Sequence, residues 1–199
     1  MALLAVSAMA APTDKRYDEG YDHALGGSSD NDTLKFVLWA YGHDANNSIL
    51  AGYGGKFNSH MFSRIYCPPG YDCPFFGFYE TVFILDTKTN ELRLDSLAGG
   101  QNVYVSYEGE VLYTEPSEHV PENATTGDWT IAPPKGEGSS KILMFNQKDF
   151  CYAGRGLYAD VPSLRDSSDC DGADPVELKA FNTSGRRPPY AYGIDPSRY

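Results

Sequence analysis

Between residues 34 and 183, the apolar stretches are short and are bounded mainly by Gly, Asn, Asp, Pro and Ser. In order the stretches are KFVLWAY, SILAGY, MFSRIY, FFGFYE, TVFILD, ELRLD, NVYVSY, EVLYTE, DWTIA, KILMFN, DFCYAG and GLYAD, with VELKAFN last. They are rich in Val, Ile, Tyr, Phe and Leu, the residues that pack well on a pleated half-buried surface. No 3.6-residue apolar period persists for three turns, so the chain is expected to be all-β. Phe36, Phe83 and Trp129 each open an aromatic–x–aliphatic stretch, 47 and 46 residues apart, and four short strands fall in each interval. That spacing predicts a β-trefoil-like barrel of three four-strand modules, with six strands closing a barrel and three hairpins capping it. Closure would also remove exposed sheet edges. A two-sheet β-sandwich is the alternative, because counting strands does not separate the two.

The ends of the chain read differently. Residues 1–16 are expected to be a signal and pro-segment: Ala2 to Ala11 are mostly small and apolar, and Ala8-Met9-Ala10 fits a small-x-small cleavage site. The run is far too short to span a bilayer. Lys15-Arg16 follows as a dibasic processing pair in a polar stretch, predicting a mature chain that begins at Tyr17. Residues 17–33 read as a flexible acidic lead, 34–183 as one all-β domain, and 184–199 (SGRRPPYAYGIDPSRY) as a disordered tail. No apolar C-terminal stretch offers a lipid-anchor signal, so a GPI link is not expected.

Four N-glycosylation sequons, at Asn31, Asn46, Asn123 and Asn182, lie in turn-like sequence and agree with secretion. Four cysteines in such a chain read as two disulfides, with three possible connectivities. Cys67 and Cys73 flank a Pro-Pro-Gly turn where a local bridge closes easily. Cys151 with Cys170 would then close a longer polar loop, worth about 3 kcal/mol by chain entropy. Cys67 and Cys73 echo zinc-knuckle spacing, but no second Cys/His pair follows at a matching distance.

The chain carries 16 Lys and Arg against 27 Asp and Glu, a net charge of −11, which repels phosphate backbones and argues against nucleic acid. His23, His43, His60 and His119 are scattered through turn contexts without metal-ligand spacing. Glu118-His119 is a poor acid–base pair, since neighbours on a strand face opposite ways. Asp166, Asp169, Asp171 and Asp174 could offer oxygen ligands. An EF-hand register built on Gly172 would instead start at Ser167 and end at Leu178, which are wrong ligands, so a solvated acidic turn is expected. A catalytic thiol at Cys151 would be removed by oxidation. With no nucleophile elbow, P-loop or dinucleotide fingerprint, no enzyme activity and no cofactor are expected. The remaining functional material is aromatic: YDEGYDH, AGYGGKF, CPPGYDCPFFGFY and CYAGRGLY set rings beside Gly, Asp and Arg, a composition suited to stacking on sugars.

In their order, FVLWAYG, SILAGYGGKF, TVFILDTKTNELRL, NVYVSYEGEVLYTE, GDWTIAPP and KILMFNQKDFCYAGRGLYADVPSLRDSSDCDG resemble the PhiA-like family of filamentous fungi over roughly residues 34 to 181. The resemblance implies a secreted, non-enzymatic cell-wall protein linked to conidium-forming cells, with Cys151 and Cys170 as its bridge. The YCPPGYDC insertion and the acidic lead depart from that pattern. The leading expectation is therefore a secreted, non-catalytic cell-wall or extracellular protein, partnered by wall polysaccharide or other wall proteins. A carbohydrate-binding module or effector-like surface protein is the second reading, and a secreted hydrolase or ribonuclease the third.

Overall fold

The computed structural model describes residues 32–42, 47–59, 63, 65–70, 80–133, 140–153, 156–159, 174–183 and 188–193. Among these the chain is all-β, and no helix is long and apolar enough to cross a membrane. The strands are β1 (Thr33–Tyr41), β2 (Ser48–Ile49), β3 (Ala51–Tyr53), β4 (Lys56–Asn58), β5 (Ile65–Tyr66), β6 (Val82–Asp86), β7 (Glu91–Leu94) and β8 (Val103–Val105). They continue with β9 (Val111–Tyr113), β10 (Trp129–Ala132), β11 (Lys141–Phe145), β12 (Phe150–Ala153), β13 (Gly156–Ala159), β14 (Asp174–Asn182) and β15 (Ala191–Tyr192).

Local chemistry sets the hairpins. Between β6 and β7, the Asp86 carboxylate accepts the backbone N–H groups of Lys88 and Thr89, at 2.8 and 3.1 Å. Those two bonds hold its pKa below the ordinary carboxylate value. Asn90 closes the turn in the left-handed region, at φ 57°. β7 then alternates strictly, with Leu92 and Leu94 buried and Glu91 and Arg93 exposed. The β3–β4 turn is Gly54-Gly55, both at positive φ, as a tight two-residue hairpin loop requires. Asn146 and Gln147 make the equivalent turn between β11 and β12, where Phe145 and Lys148 exchange both backbone bonds.

Six strands form an antiparallel row in the order β10-β11-β14-β1-β6-β7, with β2 joined to β1 and the β12–β13 hairpin joined to β14. A second sheet runs β3-β4-β9-β8. Among the described residues neither sheet closes into a barrel through strand pairing. The reason lies at the outer edge of β7. Arg93 bridges Asn102, and Leu94 N–H donates to Gln101 at 2.9 Å, so that end of the edge is already taken. Only the other end reaches β10, through Trp129 N–H donating to the Asn90 carbonyl at 3.1 Å. The repeat spacing also carries a different meaning from the one expected. Phe36 and Phe83 are direct cross-strand partners on antiparallel β1 and β6, so they do not open equivalent modules.

One core joins the two sheets. Phe36 stacks on Phe83 with ring centres 6.1 Å apart, Phe83 meets Phe57 of the second sheet at 5.5 Å, and Phe57 meets Tyr113 at 5.0 Å. Trp129 packs edge-on to Phe145 at 4.9 Å and parallel to Phe150 at 6.1 Å. Offset and edge-to-face pairs of this kind add to the large apolar area that each ring removes from water.

The domain boundaries expected from sequence need correcting at both ends. Asp32 and Thr33, assigned to the flexible lead, are part of the fold: the Asp32 carbonyl accepts Thr87 N–H at 2.8 Å, and Thr33 opens β1. Of the expected tail 184–199, residues 188–193 are an ordered strap. Its two-residue strand β15 pairs with β5, and Ala191 and Tyr192 are fully buried. Residues 1–31, including Lys15 and Arg16, and residues 184–187 and 194–199 lie outside the described residues.

Candidate functional site

The second sheet presents one row of side chains across all four of its strands. Tyr53 on β3 is directly opposite Lys56 on β4, Lys56 is opposite Leu112 on β9, and Leu112 is opposite Tyr104 on β8. Directly opposed residues share a face. Phe57, Val111 and Tyr113 are the neighbours in sequence that point the other way, into the core. The row is therefore the outward face of the sheet. Its ends are the tyrosines: Tyr53 is 39 % exposed, and Tyr104 is half-buried.

At the middle of the row Lys56 Nζ lies 2.6 Å from Glu110 Oε1, with the carboxylate side chain only 15 % exposed and the lysine 54 %. With the lysine this exposed, the pair contributes little to stability. It does hold a cation and a carboxylate at fixed positions between two rings. The Tyr104 hydroxyl is pushed above the usual phenol range, first by loss of water and then by the Glu118 and Glu110 carboxylates nearby. It stays a neutral donor at physiological pH. Flat apolar faces flanked by hydrogen-bonding groups match a sugar ring, which has an apolar face and hydroxyls at its edge.

Of the described aromatics that the sequence offered for this purpose, two serve the core instead. In AGYGGKF, Tyr53 is exposed but Phe57 is 1 % exposed. In CYAGRGLY, Tyr152 is buried and its hydroxyl accepts the Ser59 N–H at 2.8 Å. Residues 71–79, which hold the aromatics of CPFFGFY, and the YDEGYDH segment lie outside the described residues. Tyr104 and Lys56 carry no motif in the sequence. A period-2 reading of NVYVSY and of GGKF points to them, once Val103, Val105 and Phe57 are assigned to the core.

The remaining candidate residues do not converge. Cys67 and Cys151 are both disulfide-bonded, and no described cysteine is free. Cys73 and Cys170, and so both expected pairings, lie outside the described residues. Asn123 is exposed in a turn, as a glycan acceptor requires. Asn182 is half-buried as the last residue of β14, opposite Phe36, rather than in a turn. Asn31 and Asn46 lie outside the described residues, as do His23, His43, His60, Asp166, Asp169 and Asp171. Glu118 and His119 sit in a loop, not on a strand, and Glu118 Oε2 accepts the Glu115 N–H at 3.2 Å. Asp174 is the first residue of β14.

A second feature had no sequence signal. Gln101, fully buried, holds the backbone of Tyr192 from both sides: its Oε1 accepts Tyr192 N–H at 2.8 Å, and its Nε2 donates to the Tyr192 carbonyl at 2.9 Å. The Tyr192 hydroxyl accepts Val82 N–H at 3.2 Å. Gly193 then turns in the left-handed region, at φ +67°, against the Tyr113 ring. No protein family, curated protein or solved structure matches the chain.

Proposed function

We propose that this chain is a secreted, non-catalytic protein of the extracellular space or cell wall. The observation that carries the reading is the oxidised state of Cys67 and Cys151. Disulfides form and persist in oxidising compartments, whereas cytosolic thiols are kept reduced. The net charge of −11 and the exposed sequon at Asn123 agree with it. The resemblance to PhiA-like proteins narrows the proposal to a wall protein of conidium-forming cells. Fractionating a culture into medium, loosely bound wall, covalently bound wall and cell interior tests this. The protein is expected in the medium or a wall fraction, with Cys67–Cys73 and Cys151–Cys170 recovered as linked peptides before reduction. Recovery from the cell interior with reduced cysteines would overturn it.

The proposal takes the architecture as trefoil-like, with the modules framed as β1–β6, β7–β10 and β11–β14. Three features support that frame. The row β10-β11-β14-β1-β6-β7 has the six strands such a barrel needs, and its two ends are joined by the Trp129–Asn90 bond. The inner strands of the remaining hairpins, β4, β9 and β13, touch one another, as three capping hairpins would.

A second reading, a carbohydrate-binding module, is favoured by the row Tyr53–Lys56–Leu112–Tyr104. A glycan array on purified protein is expected to give signal on wall-type polysaccharide. Tyr53→Ala should weaken that signal by about tenfold, the loss of one stacking ring in a partly desolvated site. An array on which wild type and Tyr53→Ala are equally bright, or equally dark, would remove this reading and leave the first intact.

A further inference from the structure

We infer that the groove holding residues 188–193 is a peptide-binding site, specific for an extended segment with tyrosine followed by glycine, and that the chain's own strap is its built-in ligand. This stands apart from the sugar-binding and secretion readings and rests on none of their residues.

The strap does not belong to either large sheet. It is held as a bound peptide is held. Two ladder positions pair it with β5, Ala191 with Tyr66 and Tyr192 with Ile65. Two backbone donors from the loop after β7 reach it next: Leu97 N–H to the Pro189 carbonyl at 2.9 Å and Ala98 N–H to the Tyr190 carbonyl at 2.8 Å. The Gln101 side chain then replaces a neighbouring strand by satisfying both backbone groups of Tyr192. Main-chain bonding of this sort gives affinity, while pockets for alternate side chains give selectivity.

Selectivity is concentrated at two positions. Tyr192 is fully buried, and its hydroxyl has a dedicated donor in Val82 N–H. A residue lacking that hydroxyl would leave the Val82 N–H unsatisfied, and a smaller one would leave a cavity. At the next position a Cβ would collide with the Tyr113 hydroxyl and sit 3.0 Å from Gly54 N, so only glycine fits. The Tyr113 ring closes the Gly193 end of the groove, and burial holds its hydroxyl neutral.

The test is to replace residues 184–187 with a protease site in the full chain, cut after folding, and add labelled Pro-Pro-Tyr-Ala-Tyr-Gly peptide. The labelled peptide is expected to exchange into the groove, seen by native mass spectrometry and by fluorescence anisotropy. A peptide carrying Tyr192→Ala or Gly193→Ala should bind at least about tenfold more weakly, from a lost buried bond or an overpacked contact. If the nicked chain melts once the strap departs, its melting temperature is the readout. Excess wild-type peptide should restore it and the Tyr192→Ala peptide should not. A strap that stays bound without exchanging, or rescue and binding that ignore Tyr192→Ala, would overturn the inference.

Discussion

Phe57→Ala is expected to destabilise the fold by about 3–5 kcal/mol, the range for removing a buried phenylalanine ring. Phe57 is 1 % exposed and stands between the sheets, against Phe83 of the six-strand row and Tyr113 of its own sheet. Removing it deletes two ring pairs and leaves a cavity that both sheets line. Neither sheet can collapse into it without shifting a hydrogen-bonded ladder. Phe57→Leu keeps much of the volume and should cost roughly a third to a half as much. Urea unfolding of both variants measures this, with the slope expected to match wild type. A loss below about 1 kcal/mol for Phe57→Ala would mean that the two sheets do not share one core.

The second large effect falls on the strap. Gly193→Ala should cost about 2–4 kcal/mol, the sum of left-handed strain and overpacking. Gly99 separates those two contributions. It has nearly the same φ, +68°, but nothing lies within 4 Å of the position its Cβ would take. Gly99→Ala should therefore show the backbone contribution alone, about 1 kcal/mol. In thermal melts of a domain this size each kcal/mol is worth about 2–4 °C. Equal melting temperatures for the two variants would show that Gly193 does not pack against Tyr113.

Several features were legible because their causes are local. The β6–β7 hairpin follows from Asp86 capping its own turn, Asn90 accepting a left-handed φ, and the alternation of ELRL. The β3–β4 turn follows from Gly54-Gly55 in the same way. These are interactions within a few residues, so composition and spacing carry them.

The candidate site was only half legible. Tyr53 is marked in the sequence by its ring beside Gly54-Gly55, while Lys56 and Tyr104 become neighbours only when β4 pairs with β9 and β9 with β8. Phe57 and Tyr152 looked like surface rings because Gly and Arg flank them. Which face of a strand is buried depends on what packs above it, and that partner lies far along the chain.

The chain's residues by themselves determined the all-β class, the tight turns and the alternating faces of β7, β8 and β9, because a period of two and a capped turn are short-range properties. Tertiary structure alone decided that Phe36 would face Phe83, that β1 would pair with β14, and that Tyr192 would leave a Pro- and Gly-rich tail to become core. A two-residue strand has no period to read. Its burial is set by Gln101, distant in sequence, whose amide satisfies the backbone groups that would otherwise have kept the strap in water.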